Sequence, residues 1–195
     1  MQNTAPVYTE KSNCQDCYRC VKACPVKAIK LESGSASIVP DLCIYCGTCT
    51  LICPNGTKKV RNDLALLKQS LMRQEKIIVS LAPSYLSEYA KEDIHKVIAA
   101  FKEAGFWQVS ETAIGAEKVA EATKTWIDEQ PNGVYISSCC PSAVQLIKKY
   151  YPEYSSYVVP VFSPMITHSL FLKSIYPNVK VAFVGPCAAK KSELD

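Results

Sequence analysis

The chain has 195 residues, of which 48% are hydrophobic and 21% charged, and its formal net charge is +4. This balance is typical of a globular protein, and the length suffices for one large domain or two small ones. No run of five like charges calls for a nucleic-acid partner, and no apolar stretch reaches the roughly 18 residues that span a bilayer. Because the N-terminus lacks a basic region followed by an apolar one, we expect a cytoplasmic protein without a membrane span.

Eleven cysteines are the most informative feature of the composition. Eight of them lie in the first 53 residues, in two runs of identical spacing that are offset by 29 residues. In a reducing compartment such clustering indicates metal binding rather than disulfides. The two runs read Cys14-x2-Cys17-x2-Cys20-x3-Cys24-Pro25 and Cys43-x2-Cys46-x2-Cys49-x3-Cys53-Pro54.

This spacing is typical of two 4Fe–4S clusters. Two-residue gaps let three consecutive thiolates wrap around one iron–sulfur cube, and the fourth cysteine of each run serves the other cube. Eight cysteines could instead bind zinc, but zinc sites favour two cysteine pairs separated by a spacer. The predicted ligand sets are Cys14, Cys17, Cys20 and Cys53 for one cluster, and Cys43, Cys46, Cys49 and Cys24 for the other.

Two short strands are predicted between the runs, at 28–31 and 36–39. The cysteine runs together with these strands resemble the two-cluster bacterial ferredoxins over residues 8–60. The resemblance implies an α+β ferredoxin-like module at residues 1–60. So small a module has little apolar core, so we expect the clusters themselves to stabilise its fold.

The rest of the chain alternates between helix and strand. Good helix formers between 62 and 74 predict a connecting helix, assigned to residues 61–76. From 77 to 195 the alternation indicates an α/β domain with a mostly parallel sheet. The predicted strands are 77–81, 106–110, 134–137 and 179–184, and the predicted helices are 93–104, 116–129, 142–151 and 165–176.

The loops that follow three of these strands carry reactive side chains. Ligands bind beyond the carboxyl ends of parallel strands, so these loops predict a candidate site on one rim of the sheet. Each of the three remaining cysteines could alternatively be a small buried residue. The side chains concerned, with the proline of the first loop, are Pro83, Ser84, Cys139, Cys140, Cys187 and Lys190.

Two of these loops resemble the signature loops of iron-only (FeFe) hydrogenases. They are Ser137-Ser138-Cys139-Cys140-Pro141 and Gly185-Pro186-Cys187-Ala188-Ala189-Lys190-Lys191. The resemblance implies a site that interconverts protons and molecular hydrogen. It further implies an H-cluster, a 4Fe–4S cube joined to a two-iron unit that bears CO and cyanide. A ferredoxin or another electron carrier would be the redox partner.

The resemblance also implies a role for each matching residue. Cys140 and Cys187 would ligate the cube, and the Cys139 thiol would pass protons to the two-iron unit. Lys190 would pair with one cyanide. The other cyanide would accept hydrogen bonds from Ser84 and from the backbone near Pro83.

Four positions depart from the family pattern. Gly185 replaces a methionine, Thr123 and Trp126 stand where two glutamates form a proton path, and Val159 replaces a serine of that path. These departures resemble those of divergent hydrogenases, some of them sensory.

Three cysteines beyond the ferredoxin module are too few for a third cube, which needs four ligands. The family supplies two of them from a third loop, expected beyond residue 195. We therefore expect a complete catalytic centre only together with a further C-terminal segment or a second chain. The alternatives are an assembly protein or an electron-transfer subunit with a non-catalytic hydrogenase-like domain. His95, His168 and Trp107 are predicted to be structural.

Overall fold

The computed structural model describes residues 5–10, 14–32, 34–89 and 93–193. The predicted ends of the first and last domains, 1–4 and 194–195, lie outside the described residues. The chain folds as two compact units, and the boundaries predicted at 60 and 76 stay predictions. One, the cysteine-rich unit, comprises Met1–Asn62, Cys140–Ser156 and Cys187–Asp195, and the other, the sheet unit, comprises Asp63–Cys139 and Tyr157–Pro186.

The cysteine-rich unit contains two antiparallel strand pairs and two short helices. The strands predicted at 28–31 and 36–39 each lie within one residue of an observed strand. A small core of Cys20, Cys24, Ala28, Ile29 and Ala36 fills the space between them. The paired strands are β1 (Val7–Thr9) with β4 (Lys58–Val60) and β2 (Ile29–Glu32) with β3 (Ser35–Ile38), and the helices are α1 (Arg19–Ala23) and α2 (Thr48–Ile52).

Two later segments of the chain also belong to the cysteine-rich unit. Helix α6 (Pro141–Tyr150) contacts a 3₁₀ helix at Ala188–Glu193, and a further 3₁₀ helix spans Pro152–Tyr157. Lys149 Nζ donates to the Cys43 carbonyl at 2.8 Å. The segments that follow Cys140 and Cys187 in sequence are therefore part of the same unit as the two cysteine runs.

The sheet unit is built on three parallel strands in the order β6-β5-β7. Its helices begin and end close to the predicted positions, although α5 starts three residues earlier than expected. The elements are α3 (Leu64–Met72), β5 (Ile77–Leu81), a 3₁₀ helix (Pro83–Ser87), α4 (Ile94–Glu103), β6 (Gln108–Glu111), α5 (Ala113–Asp128), α7 (Pro164–Ile175) and β7 (Lys180–Val184).

Strand β5 lies at the centre of this sheet and is buried along its whole length. Its continuous apolar run predicted this, because a strand covered on both faces cannot alternate between apolar and polar residues. Val79 packs with Phe106 and with residues of α3 and α4 on one face, and Ile78 packs with Leu172 of α7 on the other. Each such fully buried side chain contributes about 1.5–3 kcal/mol.

The strand predicted at 134–137 is wrong. Only Ile136 pairs, through an isolated parallel bridge to Val158. The next ladder bond would use the amide of Val161, but that amide donates to the Val159 carbonyl at 2.9 Å around Pro160. The ladder therefore ends after one residue, and the described sheet has three strands rather than four.

Throughout the described part of the chain, no helix combines the length and the apolar character needed to cross a membrane.

Candidate metal centres

Both cysteine runs contain the same pair of left-handed residues. Asp16 (φ 48°) and Tyr18 (φ 57°) in the first run correspond, at the offset of 29, to Tyr45 (φ 57°) and Gly47 (φ 80°) in the second. A side chain other than glycine adopts this conformation at a cost, and such strain concentrates at functional sites. Alternation of left- and right-handed residues turns successive amides inward, which creates a concave site for an anion.

One cavity brings together cysteines from both runs. Its lining includes Cys24, which is the last cysteine of the first run, together with Cys43, Cys46 and Cys49 of the second. These four residues are the set that the sequence spacing predicts for one cluster. Helix α1 (Arg19–Ala23) contains Cys20 and ends directly before Cys24, which lines this cavity.

The cysteines predicted to bind the other cluster include Cys20 and its neighbours. Burial is the main cause that raises the pKa of the Cys20 thiol, and the neighbouring thiols of Cys53 and Cys14 raise it further. Cys53, the last cysteine of the second run, thus lies close enough to Cys20 of the first run for their charges to interact. Cys17 is exposed.

Backbone amides donate to sulfur in both groups. Such donors favour the thiolate and, in iron–sulfur proteins, tune the cluster. The amide-to-sulfur pairs are Ala36 to Cys14 at 3.5 Å, Ala28 to Cys24 at 3.2 Å, Tyr45 to Cys43 at 3.3 Å and Thr57 to Cys53 at 3.3 Å.

The thiols differ widely in acidity. The amide of Ala36 is the main cause that lowers the pKa of Cys14. Burial raises the pKa of Cys49 to about 12. At Cys53 burial is also the largest single effect and acts upward, but the hydroxyl of Thr57 and nearby amides outweigh it and lower the pKa to about 7.

These residues fit an iron–sulfur cluster. Among the described residues, the buried hydroxyl of Ser35 finds no partner for a hydrogen bond of normal geometry, although it lies near enough to Cys14 to lower the pKa of that thiol. A sulfur-rich anion beside it would supply the missing acceptor. Within the described ranges, no three histidine, cysteine or acidic side chains are close enough to ligate one metal ion.

Two predicted rim residues of the sheet unit, Pro83 and Ser84, follow the carboxyl end of β5. Ser84, Gly185 and Pro186 line a cavity of about 840 Å³. Pro83 begins the 3₁₀ helix that forms one side of it. Cys139 is the last residue of the first segment of this unit, and its amide donates to Ser137 Oγ at 3.3 Å.

The other rim residues belong to the cysteine-rich unit. Cys140 directly precedes α6, Cys187 directly precedes the 3₁₀ helix that contacts α6, and both are exposed. Lys190 Nζ forms an ion pair with Glu193 Oε2 at 2.9 Å, with both side chains largely buried. The catalytic and ligand roles assigned to these residues stay predictions.

Three of the four positions that depart from the family pattern, Gly185, Trp126 and Val159, take part in packing. A Cβ atom on Gly185 would lie 2.8 Å from Phe183 Cζ and 2.8 Å from Ala82 Cβ, so this site has no room for a side chain. The Trp126 ring packs edge-on against Tyr135 at 5.1 Å, and Val159 is buried.

The two histidines have the structural placements that the sequence predicts. His95 is exposed. His168 is fully buried, and its ring nitrogens lie 2.8 Å from Ser80 Oγ and 3.0 Å from Ser110 Oγ.

Sequence reasoning missed Thr57 and Lys58. Thr57 Oγ1 lies 3.2 Å from Cys53 Sγ, and the side chain of Lys58 is buried. A comparison of the repeats could have found them, because Thr57-Lys58 stands where the first repeat has Ala28-Ile29.

Together these features define an iron–sulfur protein whose second half is a parallel α/β unit. The family model for the iron-only hydrogenase large subunit, C-terminal domain, matches residues 75–195, and the 4Fe–4S dicluster domain matches residues 6–63. The chain therefore belongs to the iron-only hydrogenase family.

Known proteins agree with this membership. Iron hydrogenase 1 of Clostridium pasteurianum is 27% identical over 73% of this chain and 28% of its own length. The NADP-reducing hydrogenase subunit HndD of Solidesulfovibrio fructosivorans is 21% identical over 97% of this chain and 40% of its own. An uncharacterized ferredoxin of Methanocaldococcus jannaschii is 39% identical over 25% of this chain and 79% of its own.

This chain spans well under half the length of both hydrogenases. A solved FeFe-hydrogenase structure superposes with a TM-score of 0.49 and 19% identity, over 66% of this chain and 40% of its own.

Proposed function

We propose that this chain conducts electrons through two 4Fe–4S clusters to or from a hydrogenase centre. One observation carries the proposal: Cys24 of the first run lines one cavity with Cys43, Cys46 and Cys49 of the second. Such an exchange of the fourth ligand is the arrangement of two-cluster ferredoxins. The ligands of the first cluster would be Cys14, Cys17, Cys20 and Cys53, and those of the second Cys24, Cys43, Cys46 and Cys49.

The protein's own contribution is to bind and tune anionic clusters. Asp16 and Tyr45 are left-handed residues within the two cysteine runs, and amides such as those of Ala28 and Thr57 donate to ligand sulfurs. Donors to sulfur stabilise the reduced cluster because it carries more negative charge. An electron carrier such as a ferredoxin would be the partner.

Interconversion of protons and hydrogen belongs to a longer protein or an assembly with a second chain. The catalytic cluster of the family, when bound, supplies the hydrogen chemistry. This chain offers two ligands for it, Cys140 and Cys187, where a cube needs four. The Cys139 thiol would hold a proton at Sγ, a role that suits a half-buried side chain.

A second candidate is an electron-transfer or assembly protein whose hydrogenase-like unit is not catalytic. One observation favours it: the Phe183 ring occupies the space beside Gly185 where the family has a methionine.

Metal analysis of the reconstituted chain tests the electron-transfer proposal. We expect about eight irons and eight sulfides per chain, in a brown protein whose reduced form gives the electron paramagnetic resonance spectrum of 4Fe–4S clusters. About two zinc ions and no chromophore would show a zinc protein instead.

Infrared spectroscopy on the matured full-length protein separates the two candidates. Bands of iron-bound CO and cyanide, together with hydrogen turnover, support the hydrogenase. Cys139→Ala should then remove most turnover and keep the bands, since it deletes a proton donor, whereas Cys140→Ala should prevent assembly. An iron–sulfur protein without those bands would be an electron-transfer or assembly protein.

A further inference from the structure

Lys58 is a buried cation in the cysteine-rich unit, whose small core is apolar. The residue is 3% exposed, and Nζ donates to the carbonyl oxygen of Ala36 at 2.6 Å. Among the residues that the structure describes, no carboxylate lies within ion-pair distance of it. Buried charges are costly unless an opposite charge compensates them, so this ammonium needs an anion.

Cysteines of both predicted clusters lie within the electrostatic influence of this charge. The positive charge of Lys58 favours the ionised form of the Cys14 and Cys20 thiols, assigned to one cluster, and of the Cys49 thiol, assigned to the other. A 4Fe–4S cluster with four thiolate ligands is an anion in both of its common redox states. Two such clusters would provide the negative charge that the protein side chains around Lys58 lack.

The internal repeat shows that the fold itself does not require a lysine here. Position 58 corresponds, at the offset of 29, to Ile29, which is buried in the core with Cys20, Cys24 and Ala36. The same backbone position therefore accepts an apolar side chain in the first repeat. At the preceding position, too, the first repeat has an apolar residue and the second a polar one. Ala28 corresponds to Thr57, whose hydroxyl lies 3.2 Å from Cys53 Sγ.

We propose that Lys58 is the built-in counter-cation of the two clusters and raises their reduction potentials. The inference rests on the proposed function, since it needs the clusters to be present. One-electron reduction by an external donor adds one negative charge to a cluster. A fixed positive charge in a site of low dielectric constant stabilises that added charge, so the cluster accepts the electron more readily.

The chain provides a matched control. Lys59 follows on the same strand with its side chain on the opposite face. It is exposed and lies 3.8 Å from the carboxylate of Glu10. Lys58→Met and Lys59→Met remove the same charge from the same strand, one from the interior and one from the surface, where solvent screens it.

The experiment is a dithionite titration of the reconstituted chain, followed by electron paramagnetic resonance. Iron content is measured first: if the wild-type chain holds no iron–sulfur cluster, the proposed function fails. With clusters present, Lys58→Met should move both midpoint potentials to more negative values, by several times the shift in Lys59→Met. Equal shifts in the two variants, or none in Lys58→Met, would overturn the counter-cation role alone.

Lys58→Met could also fail to assemble its clusters, and Lys58→Arg then decides. Arginine keeps the charge but changes the shape of the side chain. Recovery of the iron content and of the wild-type potentials in Lys58→Arg supports the role of the charge. If Lys58→Arg also fails, while Lys58→Ile assembles clusters of unchanged potential, the lysine acts only through packing and the proposal is wrong.

Discussion

The ring of Phe183 occupies the space that a side chain on Gly185 would need. The distance from a Cβ atom at 185 to Phe183 Cζ would be 2.8 Å, and Ala82 Cβ blocks a second direction at the same distance. The methionine that the family has at this position therefore cannot be accommodated unless the ring moves.

We expect Gly185→Met to destabilise the sheet unit by about 1–3 kcal/mol, the usual cost of overpacking. Replacing Phe183 with alanine in the same chain should recover part of this loss, because it removes the obstructing ring. Urea unfolding followed by circular dichroism measures both variants. Gly133→Met is the control, since the nearest atom to a Cβ at 133 is at an ordinary contact distance of 3.6 Å. Equal stability of Gly185→Met and wild type would show that the Phe183 ring moves aside without a cost in free energy.

Pairs of alanine variants test the exchange of the fourth cysteine ligand. If Cys24 and Cys43 hold the same cluster, the double variant Cys24→Ala/Cys43→Ala loses one cluster and keeps about four irons. The double variant Cys20→Ala/Cys24→Ala then damages both clusters. Ligation within each run predicts the reverse result, so iron content alone distinguishes the two arrangements.

Tyr150 links two segments that carry cysteines of the cavity lined by Cys24, Cys43, Cys46 and Cys49. Its hydroxyl lies 2.8 Å from the Leu42 carbonyl oxygen and 3.2 Å from that of Val26, next to Cys43 and near Cys24 respectively. Tyr150→Phe removes this donor and should lower the free energy of unfolding by about 0.5–1.5 kcal/mol. We expect an iron chelator to remove the cluster assigned to Cys24 and Cys43 faster than in the wild type, which the loss of cluster absorbance measures.

Tyr151→Phe provides the comparison, because this neighbouring ring is 49% exposed. The same rate of cluster loss in both variants would contradict a specific role for the Tyr150 hydroxyl.

The stability of the sheet unit should fall in mild acid because of His168. Burial lowers the pKa of this imidazole below its usual value of 6.5. The unfolded chain therefore takes up a proton below about pH 6.5, whereas the folded chain stays neutral until the pH falls further, so the unfolding free energy decreases through that window.

Thermal unfolding between about pH 7 and pH 5.5 measures this effect. Relative to His168→Gln, the wild-type chain should lose stability as the pH falls, while the exposed-site variant His95→Gln should follow the wild type. A constant difference between wild type and His168→Gln across this range would show that His168 does not titrate on unfolding.

Much of the fold could be predicted because its signals are local. The nearly continuous apolar run of β5 indicates a strand covered on both faces, and the proline-led start and apolar spacing of α7 place that helix within one residue. The strand predicted at 134–137 fails for a reason that lies elsewhere in the chain. The amide of Val161, which would extend the ladder, bonds to Val159 instead.

By itself, the sequence determined the two cysteine runs, their offset and the sets of ligands that they predict, because consecutive residues wrap a small cluster and spacing alone limits which thiols can meet. Only the tertiary structure decided that Lys58 is buried and that Lys149 and Tyr150 reach the cysteine loops. In sequence, Lys58 lies outside the predicted strands and helices, and Lys149 and Tyr150 lie in the helix predicted at 142–151 without any sign of these contacts. Burial of a polar side chain depends on which distant segment packs over it, and no local pattern records that contact.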